Sequence, residues 1–373
     1  MSPTTKLNHV IVACSVLALL PGRCASACSF CPPDLSPSLW KELDQAHSGV
    51  LAELIKSPDS QSSSSVSRYR VNVVLKSEHG IKPGDEVIVP LNVQSPLGSV
   101  HLLLAGGDSS DWRSPRGISK PMREFLITAS KLPEVDKSAS SDARVQRLAF
   151  ALPHLVSRDQ QIADSVYGEF VAAPDSAVKQ LGPILNHRKL KAWIELEPVS
   201  DKHRRLMFRL LGVCGNADDR PFVKAALDQR LEREDSFELD AIIAAYLTLS
   251  GGEGLDDIDG RLLKPTNVSL ETRRAVARAL RFHVDNEAVI AKRRILSSCR
   301  MLLLDPKTAD YVLGDLARWK DWESLDQVLK LQRQAGENRW LQEPIAQYLK
   351  ACPLPEARSA LAAFRKPELS SND

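Results

Sequence analysis

The sequence has few cysteines, no long apolar run beyond its N-terminal segment, and no surplus of one charge. Five cysteines follow residue 27, too few for a disulfide scaffold. No later stretch approaches the ~20 apolar residues that span a bilayer. Lys6 and Arg23 are the only charges in residues 1–27, so 47 of the 49 basic residues face 47 acidic ones afterwards. This near-neutral balance does not favour a nucleic-acid or anionic-membrane surface.

Local catalytic and cofactor motifs are also missing. The chain has no G-x-S-x-G elbow, no P-loop, no G-x-G-x-x-G turn and no H-E-x-x-H spacing. An enzyme whose catalytic residues lie far apart in sequence would escape these motifs. We expect no catalytic residue, no metal site and no cofactor. Cys214, Cys299 and Cys352 lie at apolar positions typical of a core.

Residues 1–27 have the order of a secretory signal peptide. Lys6 precedes an apolar run at 10–20, and the small residues Ala25-Ser26-Ala27 follow. A basic start, a short apolar region and small residues at the cut define a cleavable export signal. We expect cleavage after Ala27 and a secreted, periplasmic or cell-surface location.

Cys28 would then begin the mature chain, with Cys31 three positions later. A thioredoxin-type pair opens a helix, whereas Pro32 and Pro33 follow this pair, and a zinc site needs four ligands. A disulfide, between these two cysteines or with a more distant partner, is predicted. A lipid anchor on Cys28 is the alternative, although the residues PGRCASA separate it from the apolar run.

Residues 28–135 favour a small antiparallel β module. Ser36 and Pro37 are typical of a helix start. After this short helix, apolar residues alternate and indicate strands. Polar segments at 57–67 and 82–86 supply the turns. The alternating sets, which fit a small barrel or sandwich, lie at 50–54, 69–75, 87–91 and 100–104.

Several segments of this module form a recognisable combination. They are the cysteine segment at 28–33, the helix, the strands VLAELI and YRVNVVLK, and the turn KPGDEV. Together they resemble the netrin-like module, the OB-type barrel of the tissue inhibitors of metalloproteinases. Those inhibitors approach a protease zinc with a C-x-C start that is tied to the barrel, whereas this chain has C-x-x-C and no cysteine from 32 to 213. The resemblance implies the barrel fold, and metalloprotease inhibition is an alternative function.

From residue 142 to 365 the apolar spacing is helical. Apolar or cysteine positions recur with separations of three and nine, which predicts a helix end, a turn of about five residues and a second antiparallel helix. Repeated helix pairs are typical of a solenoid. The four sets are Leu211, Cys214 and Val223; Tyr246, Leu249 and Ile258; Leu316, Trp319 and Val328; and Leu349, Cys352 and Leu361.

The segment LGVCGNADDRPFVKAAL carries an L-G-x-x-G turn and resembles a HEAT-type repeat. DLARWKDW and YLKACPLPEA are similar to segments of secreted bacterial HEAT-like proteins. The resemblance implies an all-α HEAT-like solenoid over 142–365. The whole chain is therefore predicted as an α+β multidomain protein, with the Ser/Asp-rich segment 136–142 as the boundary.

One short segment, RWKDW at 318–322, combines aromatic and charged residues. Tryptophan and arginine are enriched at interface hot spots. Trp319 occupies a repeat core position, which leaves Arg318 and Trp322 as candidates for binding a partner. The alternative is that Trp322 fills the turn between two repeats.

These observations predict a non-catalytic protein that binds another protein of unknown identity through a helical surface. No nucleic-acid partner, no transmembrane segment and no cofactor are expected. The alternatives are an inhibitor of extracellular metalloproteases and a hydrolase without recognisable local motifs.

Overall fold

The structure, a computed structural model, describes residues 37–57, 66–78, 80–107, 111–135, 139–196, 199–286, 289–336 and 338–364. Cys28 and Cys31, and with them the predicted signal peptide, disulfide and lipid anchor, lie outside the described residues. No helix within the described ranges is long and apolar enough to cross a membrane.

An antiparallel sheet of five strands forms the first part of the described chain. Its order is β3-β2-β1-β4-β5. The four strands predicted from alternation are confirmed as β1 to β4. The sheet is open, because the edge strands β3 and β5 pair only inward, so the closed barrel predicted from the sequence is not seen in the described residues. The strands are β1 (Ser48–Lys56), β2 (Ser67–Ser77), β3 (Glu86–Val89), β4 (Val100–Ala105) and β5 (Arg116–Gly117).

Two helices accompany the sheet. Helix α1 (Leu39–Gln45) begins after Ser38, whose hydroxyl accepts a hydrogen bond from the Lys41 N–H at 3.2 Å. The helix start predicted at Ser36 and Pro37 was therefore too early, because the side chain that caps the first turn is Ser38. Helix α2 (Lys120–Ala129) was not predicted, and it buries the residues Met122, Phe125, Leu126 and Ala129.

Both faces of the central strand β1 are buried. One face of the sheet, with Leu51 and Leu104, joins a hydrophobic cluster that includes Trp40 of α1 and Phe125 of α2. The opposite face forms a separate cluster, in which Tyr69 is fully buried. Burial on both faces is confined to the centre of the sheet, because exposed residues alternate with buried ones in β2 and β3 and both residues of β5 are exposed.

The rest of the described chain is helical, as predicted from residue 142 onward. Helix α9 is kinked at Gly251, whose φ is +61°. The helices are α3 (Ser141–Ala151), α4 (Gln160–Ala172), α5 (Asp175–Lys179), α6 (His187–Ile194), α7 (Asp201–Cys214), α8 (Arg220–Glu232), α9 (Leu239–Ile258), α10 (Leu270–Asn286), α11 (Lys292–Met301), α12 (Pro306–Arg318), α13 (Leu325–Ala335), α14 (Arg339–Ala351) and α15 (Pro355–Phe364).

Six of these helices lie side by side in one row: α4, α7, α9, α10, α12 and α14, each in contact with the next. Hydrogen bonds from a side chain of one helix to a group of its neighbour, called ties below, show that neighbouring helices run in the same direction. His203 near the start of α7 reaches the Ala163 carbonyl oxygen near the start of α4, at 3.3 Å. Arg209, later in α7, donates to the Phe170 carbonyl oxygen near the end of α4, at 2.7 Å.

The same pattern continues along the row. Arg278 of α10 donates to Asp240 of α9 at 2.6 Å, and His283 reaches the Ala244 carbonyl oxygen at 3.0 Å. Arg281 of α10 then donates to Asp315 of α12 at 2.6 Å. Tied residues are 30 to 40 positions apart, so the ties recur at a nearly regular interval along the chain.

The sheet and the helix row share a core across the predicted boundary. The Trp40 ring of α1 packs edge-on against Phe125 at 5.3 Å and Phe150 of α3 at 5.8 Å. The Arg147 guanidinium lies 3.9 Å from the centroid of the Trp40 ring and pairs with Asp44 at 2.8 Å. Because Trp40 is 1% exposed, its burial contributes about 3 kcal/mol to this junction.

Candidate partner-binding site

The site is built around the end of α12. Lys320 has a φ of +58°, the left-handed conformation that usually ends a helix with glycine. Two hydrogen bonds close the turn: the Asp321 N–H donates to the Leu316 carbonyl oxygen at 2.9 Å, and the Lys320 N–H to the Ala317 carbonyl oxygen at 3.1 Å. This is a Schellman motif. A lysine in place of glycine costs roughly 1 kcal/mol here.

Asp321 fixes the turn from within. Asp321 is 4% exposed. Its carboxylate accepts hydrogen bonds from Arg300 of α11, with Nε to Oδ2 at 2.9 Å, and from the Ser324 hydroxyl. The Tyr348 hydroxyl of α14 donates to the Asp321 carbonyl oxygen at 2.8 Å. Helices α11 and α14 and the N-cap of α13 therefore meet at one buried aspartate, because each supplies a donor that the carboxylate or carbonyl needs.

A cleft of about 410 Å³ opens between the start of α11 and this turn. Trp322 and Leu296 contribute its apolar surface. Trp322 is half-buried, and its ring packs edge-on against Tyr348 at 5.6 Å. The basic side chains that line the cleft are Lys292, Arg293, Arg300 and Lys320.

The charge of the cleft is unevenly compensated. Arg300 is neutralised by Asp321 and by Glu323, at 2.8 Å, and the hydrogen bond from Arg300 to Asp321 raises the pKa of Arg300 further above its usual value. Arg293 and Lys320 are exposed, and neither forms an ion pair with any described residue. Their charges are available to a ligand.

The two residues singled out from the sequence lie apart. Trp322 lines the cleft, as does Lys320. Arg318 does not, because its guanidinium pairs with Asp315 at 3.0 Å and with Asp285 of α10 at 3.4 Å. Arg318 therefore belongs to the ties of the helix row, whereas Trp322 belongs to the cleft.

The residues that shape this site were not predicted from the sequence. Arg293 and Arg300 precede Trp322 by more than twenty positions and carry no motif. The repeated signal is a buried aspartate shortly after the last residue of a helix: Asp219, Asp259 and Asp321 are all buried and bound to cations from neighbouring helices. The segments NADD, DDID and KDW contain these aspartates in the sequence.

The cysteines assigned to the core are placed there. Cys299 and Cys352 are 1% and 3% exposed, and burial raises the pKa of the Cys299 thiol. Cys214 is half-buried; burial raises the pKa of its thiol to about 12, and its Sγ donates to the Val178 carbonyl oxygen at 3.2 Å. Across the ranges that the structure describes, no group of three or more His, Cys, Asp or Glu could hold a metal ion.

A second surface lies at the opposite end of the parallel helices. Exposed apolar residues stand just before or within the first turns of four row members. Trp340 at the start of α14 is 87% exposed, the extreme of the set. The others are Leu196 before α7, Phe237 before α9 and Leu304 before α12.

No protein-family model, curated protein or solved structure matches the chain. Function is therefore inferred from the chemistry of the site itself.

Proposed function

We propose that the protein is an exported, non-catalytic binding module that recognises a protein partner with the surface of its helix row. The observation that supports the proposal is the cleft beside Trp322. There an aromatic side chain lies with two unpaired cations, Lys320 of the turn fixed by Asp321 and Arg293 of α11. Tryptophan with neighbouring cations is the composition of interface hot spots.

The arrangement of the helix row and the sheet is consistent with this function. We infer that the parallel helices and the helices packed on them form a HEAT-like solenoid, and that the sheet is the core of an OB-type module. In a solenoid each helix pair buries its apolar side against its neighbours, so the remaining surface is free for recognition. The ties at 30 to 40 positions support this inference, because they recur from α4 to α12.

The test is capture of a partner from native extracellular material with the full chain. Trp322→Ala is expected to abolish capture of a specific partner, since it removes the aromatic contact. Trp340→Ala is the matched control, because it removes an exposed tryptophan from the other end of the parallel helices and should leave capture intact. Thermal unfolding of each variant separates loss of binding from loss of fold.

Three outcomes would contradict the proposal. Loss of capture with Trp340→Ala but not with Trp322→Ala would move the interface to the opposite end of the helices. Loss with Cys28→Ser, or slowing of a metalloprotease, would favour the N-terminal module. Turnover of a substrate without a stable partner would show an enzyme.

A further inference from the structure

The cleft beside Trp322 carries more positive charge than the fold requires. The first turn of α11 contains three basic residues, Lys292, Arg293 and Arg294, and no acidic one, and its N-cap Ala291 provides no side-chain hydrogen bond. Cations are unfavourable at the positive end of a helix. Arg294 is compensated by Asp256 at 2.5 Å and Asp259 at 2.7 Å. Arg293 forms no ion pair within the described part of the chain and lines the cleft.

Lys320 adds a second uncompensated charge on the facing wall. It occupies a left-handed position where glycine would relieve the backbone. Its side chain makes no ion pair with a described residue, so no ion pair offsets its conformational cost. Strain of this kind, observed at a residue that lines a cleft, indicates a role in binding.

From this arrangement we propose that the cleft binds an acidic peptide segment of the protein partner. Carboxylates of the peptide pair with Arg293 and Lys320, and an apolar side chain of the peptide lies against Trp322. This inference rests on the proposed binding function and adds the chemistry of the partner. Charge complementarity selects the peptide, because two unpaired cations and an aromatic side chain line the same cleft.

The size and apolar surface of the cleft favour a peptide over a small anion. Its volume of about 410 Å³ lies within the range of ligand sites of about 300 to 1,000 Å³. A lone phosphate would leave the surface of Trp322 and Leu296 in water. A peptide that carries both charge and an apolar side chain covers the two kinds of surface together.

The experiment measures fluorescence anisotropy of a labelled pentapeptide, one phenylalanine between two pairs of glutamates, with the full chain at low salt. The matched peptide has glutamines in place of the glutamates. We expect the glutamate peptide to bind and the glutamine peptide to bind at least about tenfold more weakly, because the two ion pairs are lost. Raising the salt concentration should weaken the glutamate peptide selectively.

Variants locate the binding. Arg293→Glu should weaken the glutamate peptide about tenfold, because an attraction becomes a repulsion. Lys320→Gly should weaken it about threefold to fivefold without loss of thermal stability, since glycine suits the left-handed turn. Lys330→Glu, an exposed lysine of α13 that does not line the cleft, is the charge-matched control and should have no effect.

Several results would overturn the inference. They are equal binding of the two peptides, insensitivity to Arg293→Glu and Lys320→Gly, or displacement of the peptide by inorganic phosphate at the same anion concentration, which would show a small-anion site. Failure here is distinguishable from failure of the proposed function. A native partner lost with Trp322→Ala but unaffected by Arg293→Glu would retain the binding module and reject the acidic segment.

Discussion

His283 is a buried base whose only hydrogen-bond partner among the described groups is a main-chain oxygen. The residue is 4% exposed, and its Nε2 lies 3.0 Å from the Ala244 carbonyl oxygen. Burial lowers the pKa of His283 from 6.5 to about 4. The folded protein therefore holds this imidazole neutral at pH values where the unfolded chain protonates it.

This burial predicts acid sensitivity with a defined sign. Between pH 6.5 and 4 the unfolded state binds more protons at His283, so the free energy of unfolding falls as the pH falls. From pH 7 to pH 5 the loss from this residue is about 2 kcal/mol. Denaturant unfolding of the wild type and of His283→Gln at the two pH values should show a smaller loss in the variant. His47→Gln, at an exposed histidine, is the control, and an equal loss in all three proteins would contradict the prediction.

The stability of the turn after α12 depends on Asp321 more than on Glu323. Asp321 is buried and accepts from Arg300 and Ser324, whereas the Glu323 side chain is 62% exposed although it pairs with the same arginine. A buried partner cannot be replaced by water, but an exposed one can.

Replacement of each acid tests this difference. Asp321→Asn should lower the free energy of unfolding by about 3 kcal/mol, because Arg300 keeps its charge and loses its buried partner. Glu323→Gln, the matched control, should cost less than about 1 kcal/mol. Urea denaturation at neutral pH measures both. Similar costs for the two variants would show that burial of Asp321 does not decide the stability of the turn.

The same elements show how far the sequence could be interpreted. Alternation predicted the four longer strands, and the helical spacing predicted helices on both sides of Cys214 and of Trp319, because these patterns depend on neighbours along the chain. Helix α2 was not predicted, because its ten residues follow a β segment and show helical apolar spacing over only a short stretch. The cations of the cleft could not be predicted from the sequence, because Arg293 and Arg300 reach the Trp322 turn only after α11 and α12 have packed.

At the scale of the whole molecule, the predicted boundary crosses a packed junction. The segment 136–142 follows α2 in the sequence and includes the first two residues of α3, and the Ser/Asp composition that marks it predicts a protease-sensitive site. Contacts join the parts of the chain before and after this segment: Trp40 packs against Phe150, and Arg147 pairs with Asp44. Arg147 also pairs with Glu169.

A nick in this segment should therefore leave the molecule in one piece. Limited trypsin digestion is expected to cut after Lys137, with the serine tract at 62–65 as another sensitive segment for less specific proteases. The two trypsin fragments should elute together in gel filtration, since the shared core persists. Trp40→Ala should weaken their association, because it removes the ring at the centre of the junction. Separation of the wild-type fragments under native conditions would refute a shared core.

The two ends of the helix row differ. At one end α1 and α2 pack against α4, whereas at the other α14 contacts α12, α13 and α15. Because each member is tied mainly to its immediate neighbours, duplication of one helix pair within the row would lengthen the molecule by about 10 Å and leave the existing ties intact.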